Sequence, residues 1–250
     1  MMKKNEKDGL VWLQFELLAQ FPKLQHGIFL RKGGESLGNF SSLNVSDDVG
    51  DCHLAVRNNI EKIRKAFDLN RMISAKQVHG KHLEAINFKC DLKPVCDGMI
   101  TSSPRLGIMI MHADCQAAIF YDPIKHIIAN VHAGWRGSVL NIYRETINLM
   151  KERYGSAAEN IHVGISPSLG PINAQFINFK TELPREFWEF QVKPHYFDFW
   201  NISRHQLQQS GVLPHHIEIA EICTFCVKED FFSYRREKIT GRHGAVVSLY

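Results

Sequence analysis

Two apolar runs dominate the hydrophobic pattern: GIMIMHADCQAAIFY at residues 107–121 and HIIANVH at residues 126–132. Each is far too short to span a bilayer, and both read as strands of a core. Between them, DPIK reads as a turn with Pro123 at its second position. The next stretch, SVLNIYRETINLMKERYG, places Val139, Ile142, Tyr143, Ile147 and Met150 near a 3.6-residue period and stops at Gly155. That is the pattern of an amphipathic helix. Leu54, Ile60, Ile63 and Phe67 predict an earlier helix, with Asp51 as its cap and an end near Leu69. MISAKQVHG and HLEAINF read as strands around Gly80, NIHVGIS and HIEIAEICTF as two more, and GRHGAVVSLY as the last. NISRHQLQQSG reads as a short helix. Alternating strands and helices with several hairpins predict an α/β or α+β class with a mixed sheet.

Composition narrows this little. The chain has 250 residues, 44% apolar and 22% charged, and no repeat or Gly/Ser-rich linker divides it. The expectation is one domain over residues 10–250 after a frayed start at residues 1–9. A formal charge of +4 without a basic stripe suits a small anionic substrate and argues against nucleic acid. Glu6, Asp8 and Glu16 interrupt what would otherwise pass for a signal peptide. Six scattered cysteines form no disulfide framework, so reduced thiols in a cytoplasm are expected. The polar stretch GIFLRKGGESLGNFSSLNVSDDVGD is a candidate binding loop.

Candidate chemistry lies in the two apolar runs. A turn centred on Pro123 and Ile124 would set Cys115 opposite His132, with Cβ atoms about 5 Å apart. His79 in KQVHG, at a strand end beside a glycine, offers a third group. Two histidines and a cysteine match a zinc site of catalytic type, with three protein ligands and one open position. A core thiol beside two hydrogen-bonded histidines fits the same spacing, as does a thiol nucleophile with His132 as its base. His112 ranks below His79, because in an extended strand it points away from Cys115. AGWRGSV after His132 reads as a Gly-rich helix entry, an anion cradle with Arg136 beside it. CTFC has CxxC spacing but no partner pair, so Cys223 and Cys226 read as structural thiols, and PHH at residues 214–216 reads as a loop.

The motifs QVHG, CDGMITSSPRLGIMIMHADC, VHAGWRG, GISPSLGP, ICTF and FFSYRR…TGR occur in the order found in one family. With RKGGES and SLNVSDDVGD they cover nearly the whole chain after about residue 25. The chain resembles the YfiH-like family, formerly described as polyphenol oxidase or laccase-domain proteins and now as purine nucleoside phosphorylases. The resemblance implies a single-domain layered αββα sandwich with mixed sheets and a zinc held by His79, Cys115 and His132, with copper the weaker alternative. It also implies phosphorolysis of adenosine, inosine, guanosine and methylthioadenosine, with phosphate as co-substrate, and deamination of adenosine. Some relatives are described instead as peptidoglycan-editing hydrolases. Where members often have GPSIGPCCYEV, this chain has SPSLGPINAQF, which leaves the ligands alone but alters the pocket's rim.

Phosphorolysis asks the protein to bind phosphate, hold the ribose and stabilise charge on the base. Arg31, Arg136, Arg235, Arg236 and Arg242 are the anion-binding candidates, and Asn44 is a candidate for the sugar or base. Asp114 adjoins Cys115, but alternation directs its side chain to the other face, so a supporting role is expected. A copper-dependent phenol oxidase is the weakest rival, since three such ligands suit zinc better. The expected partners are a nucleoside and phosphate, with no nucleic acid or membrane, and the expected state is a monomer or weak homo-oligomer.

Overall fold

A computed structural model describes residues 2–90 and 92–250. In chain order its strands are β1 (Lys3–Lys7), β2 (Leu10–Gln14), β3 (Leu24–Phe29), β4 (Arg71–Ser74), β5 (Leu83–Ala85), β6 (Gly98–Thr101) and β7 (Leu106–His112). They continue as β8 (Gln116–Asp122), β9 (Ile127–Ala133), β10 (His162–Ile165), β11 (Gln191–Lys193), β12 (Tyr196–Phe197), β13 (Ile217–Ile219) and β14 (His243–Leu249). The helices are α1 (Glu16–Ala19), α2 (His53–Ala66), α3 (Trp135–Val139), α4 (Ile142–Tyr154), α5 (Phe179–Glu182), α6 (Phe199–Gln209) and α7 (Tyr234–Glu237). No helix among the described residues is long and apolar enough to cross a membrane.

Two six-stranded mixed sheets, ordered β1-β2-β3-β14-β7-β4 and β13-β10-β8-β9-β6-β5, pack face to face. Ile108, Ile110, Ala245 and Val247 of the first meet Ala117, Ile119, Tyr121 and Ile128 of the second. Helices cover both outer faces. Ile63 of α2 and the following Phe67 lie on Met109, Met111 and Val246. Ile142, Tyr143, Ile147 and Met150 of α4, with Leu207 of α6, lie on Phe120, Ala129 and Val131. The strands of the two apolar runs are therefore buried on both sides, which is why their sequence does not alternate. Among the buried polar residues of these strands, Asn130 lies between the sheets, and its amide donates to Ile108 O and Ala245 O at 3.0 and 2.8 Å, tying one sheet to the other. The single domain is thus an αββα sandwich.

The structure corrects several local expectations. Residues 107–121 are not one strand: β7 belongs to the first sheet and β8 to the second, and the chain crosses between them at Ala113–Cys115. Asp114 makes the bend with φ of 82°. The β8–β9 hairpin is also longer than expected. Asp122 Oδ1 accepts the N–H groups of Ile124 and Lys125 at 2.8 and 3.0 Å, and His126 closes the loop at φ 54°. His132 consequently pairs with Ala117, not with Cys115. A slip of two keeps side-chain parity, so Cys115 still approaches His132 from the same side.

The predicted helix after His132 is two, broken at Asn141, which sits at φ 51° and caps α4 by accepting from the Arg144 N–H. Asp51 does not cap α2. Its Oδ1 accepts from the Cys52 N–H and its Oδ2 from the Asn44 amide. Of the frayed start expected over residues 1–9, Met1 lies outside the described residues, and Lys3–Lys7 form β1, paired with β2. Asp8 and Gly9 both take positive φ, as a two-residue hairpin turn requires. The strand expected through HIEIAEICTF stops at Ile219, beyond which Cys223 makes an isolated bridge to Ser168.

Candidate metal centre

The donors of His79, Cys115 and His132 lie within 4.8 Å of one another. Three elements deliver them: the loop after β4, the crossover between β7 and β8, and the end of β9. One carboxylate organises two of the three. Asp97, fully buried just before β6, accepts the N–H groups of Val78, His79 and Gly80 at 3.2, 2.9 and 2.7 Å. Those bonds hold His79 at φ 59°. Asp97 Oδ1 also faces His132 Nδ1 at 2.9 Å, so that nitrogen carries the proton and Nε2 is left as a donor. The His79 and His132 rings stand perpendicular with centroids 4.7 Å apart. A Cβ on Gly134 would lie 3.0 Å from His79 Cδ2 and 3.2 Å from Cys115 Sγ, so any larger residue here would press on two of the three donors.

Charge follows from these partners. Burial disfavours a Cys115 thiolate, yet His132 and His79 together pull its pKa down to about 6. Burial equally disfavours a charged His132, but Cys115 and Asp97 raise it to about 9. Asp97 stays below the ordinary carboxylate range: burial opposes this, and His132 and the backbone N–H groups outweigh it. A thiol ready to ionise and an imidazole with its far nitrogen fixed are the donor types that zinc takes. His112 stands outside the cluster. Its Nδ1 faces Cys115 O at 3.0 Å, and burial first, then His132, drives its pKa down to about 3.

The cluster opens into a cavity of about 500 Å³. Its floor is braced by Gln116, whose Oε1 accepts from Tyr143 and Ser203 at 2.5 and 2.7 Å and whose Nε2 donates to Phe199 O at 3.1 Å. Trp135, Phe176 and Phe199 make an aromatic wall, with Phe176 centroids 6.0 Å from Trp135 and 5.2 Å from Phe199. Arg136 and Arg235 also line the cavity. The Arg136 guanidinium lies 4.3 Å from the Trp135 ring centroid. The helix that begins within GWRG, at Trp135, is only five residues long, so its dipole adds little and the arginine is the main positive group there.

Of the remaining predicted residues, Asp114 still borders the cavity and Arg242 lies near enough for the charges of Cys115 and Asp114 to act on it, while the others lie elsewhere. Arg236 donates to Thr224 O, Phe225 O and Phe231 O, pinning the chain behind the cavity. Arg31 bonds Ser41 O and Lys228 O beside a separate shallow pocket. Arg242 donates to Thr240 O and Gly241 O. Asn44 is fully buried and fully occupied. Its amide nitrogen donates to Ser46 O and Asp51, and its oxygen accepts from Ser46 N and Arg242 N. It holds the polar loop onto the first sheet, so the loop does not border the cavity. Asp114 accepts from Thr224, Ser233 and the Arg235 N–H, which directs its carboxylate away from Cys115. Sequence reasoning missed Asp97 and the aromatic wall. Asp97 sits inside the quoted CDGM motif, where a carboxylate leading into an apolar strand was the available signal. The phenylalanines of residues 176–199 follow no helical or strand period.

Residues 25–250 match the family model described as multi-copper polyphenol oxidoreductase laccase. The chain is 31% identical over 237 residues to purine nucleoside phosphorylase YlmD of Geobacillus stearothermophilus, covering 86% of each. It is 28% identical over 244 residues to a purine nucleoside phosphorylase of Bacteroides thetaiotaomicron, covering 90% of each. The crystal structure of Bacillus licheniformis hypothetical protein YfiH superposes with a TM-score of 0.89 at 26% identity, covering 99% of both chains. That of YlmD from Geobacillus stearothermophilus gives 0.87 at 28% identity, covering 98% of this chain and 97% of the other. By its match over nearly the full length and by its fold, the chain belongs to this polyphenol oxidoreductase laccase family of YfiH-like proteins.

Proposed function

We propose that the protein is a zinc-dependent purine nucleoside phosphorylase acting on adenosine, inosine, guanosine and methylthioadenosine, with adenosine deamination as a second reaction. The observation that carries this reading is the convergence of His79, Cys115 and His132 at a cavity that also holds two arginines and an aromatic wall. Relatives named purine nucleoside phosphorylase over most of their length support it. His79, Cys115 and His132 would hold the zinc, which supplies Lewis acidity at that end of the cavity.

The chain's own groups do the rest. Arg136 and Arg235 bind phosphate and offset its charge, holding it where it can attack the anomeric carbon as the bond to the purine breaks. Trp135, Phe176 and Phe199 present apolar faces of the size a planar base covers. Asp97 keeps both histidines in place from beneath. Asp114, with its oxygens already occupied, is not the proton carrier for deamination. Six free cysteines support a reducing, cytoplasmic setting, and a monomer or weak homo-oligomer suffices because one chain supplies the whole cleft.

One observation favours a second reading. The Cys115 sulfur and a His132 ring nitrogen lie within 4.8 Å of each other with Asp97 against the far nitrogen, which is also the arrangement of a thiol nucleophile and its oriented base in a cysteine hydrolase. Incubating purified protein with adenosine, with and without phosphate, separates the reactions. Adenine and ribose 1-phosphate formed only with phosphate is the expected result, with inosine reporting deamination. Neither product from zinc-loaded protein would overturn the proposal.

A further inference from the structure

Cys223 and Cys226 stand at the two ends of one turn behind the cavity wall. The Cys226 N–H donates to Cys223 O at 3.1 Å, and a turn of this length brings its ends within the span of a disulfide. Both sulfurs accept from a single atom, Asn173 Nδ2, at 3.3 and 3.2 Å. Cys223 Sγ takes a second N–H, from Gly170, at 3.2 Å. Cys226 is exposed, so a small reagent can reach it. The segment these sulfurs hold belongs to the cavity. Ser168, bridged to Cys223, and Ala174 both line it, and Asn173 O receives the Arg235 guanidinium at 3.4 Å.

We propose that Cys223 and Cys226 form a reversible redox site, oxidised to an intramolecular disulfide by small disulfides of the glutathione class, and that oxidation loosens this wall. The Cys226 thiolate attacks one sulfur of the small disulfide and expels one thiol. Cys223 then loses its proton to water and attacks Cys226 Sγ, forming the protein disulfide and expelling the second thiol. Two protein thiols are oxidised and one external disulfide is reduced to two thiols. Partial burial first, and then the neighbouring Cys223, raise the Cys226 pKa, so the exchange quickens toward alkaline pH. Drawing the sulfurs together withdraws the acceptor from the Gly170 N–H and the shared acceptors from Asn173.

The test needs no substrate. Purified protein with its resident metal is incubated with oxidised glutathione, alkylated, and analysed by peptide mass and by hydrogen exchange over residues 168–176. The expected result is loss of two hydrogens from the peptide carrying both cysteines, reversed by dithiothreitol. Amide exchange at Gly170 should rise about tenfold with it. The variant Cys226→Ser should show neither change. A glutathione adduct that never resolves to the protein disulfide would overturn the site. A disulfide that leaves exchange unaltered would overturn its coupling to the wall.

Discussion

His132 and the pair His26 and His243 are buried to almost the same degree, yet in the protein chain by itself their pKa values are pushed in opposite directions. His132 has Asp97 and Cys115 against its two nitrogens, and its pKa rises to about 9 despite burial. His26 and His243 have only backbone partners. His26 Nε2 accepts the Phe15 N–H, and His243 bridges the Phe232 N–H and Phe29 O. Burial then prevails: His26 falls to about 4 and His243 falls well below its ordinary value. Depth therefore does not distinguish the histidine of the three-residue cluster from the other two. The difference lies in whether anionic groups were buried with it, since the ionisable neighbour of His243 is another histidine, His112, which lowers it further. Around His132 a carboxylate and a thiol share one small volume, and around the other two, neutral rings pin neighbouring strands.

The contrast breaks most visibly in acid. His26 has a folded pKa of about 4 against an ordinary 6.5, so the unfolded chain takes up the proton first. Its contribution is complete above pH 6.5 and is lost as pH falls toward 4. Two and a half units correspond to about 3 kcal/mol. Urea unfolding across this range should show the loss, and His26→Gln should flatten it by about one proton's slope. An unchanged slope would remove His26 from the account.

Asp97→Asn attacks the other side of the contrast. One amide oxygen cannot replace two carboxylate oxygens that accept three backbone N–H groups and one imidazole. Zinc affinity measured by competition with a chromogenic chelator should fall about 10–100-fold. Affinity equal to wild type would show that the histidines hold their positions without it.

A smaller effect separates the two kinds of arginine. Arg136→Ala should raise the KM for phosphate several-fold and leave zinc content unchanged. Arg236→Ala should leave that KM alone and lower stability by about 1–3 kcal/mol, because three backbone carbonyls lose their donor. The opposite pattern would exchange their roles.

These residues also mark how far the sequence could be read. Cys115 and His132 were legible as a pair because thiol and imidazole are rare in apolar runs and parity survived the error in hairpin register, and His79 because it stands beside a glycine at a strand end. The register itself was not legible, since Asp122 and His126 lengthen the turn through a side-chain cap and a left-handed residue. The break between β7 and β8 was hidden for a related reason. Both strands are buried on two faces, so the apolar pattern runs on while Asp114 redirects the chain through bonds to Thr224, Ser233 and Arg235, all more than 100 positions away. Asn44 and Arg236 resemble binding residues in sequence because their partners are mostly backbone atoms, which no composition reveals.

The central claim is that His79, Cys115 and His132 act as one metal centre. Its most direct test is the metal content of purified protein, combined with X-ray absorption at the metal edge and an assay after chelation. The account predicts one zinc per chain, with one sulfur at about 2.3 Å and two nitrogens at about 2.0–2.1 Å. Cys115→Ser should lose zinc and activity together, and chelation should abolish activity in the wild type. A metal-free enzyme that stays active in chelator and is inactivated by iodoacetamide at Cys115 would contradict it, and stoichiometric copper at the same ligands would contradict the choice of zinc.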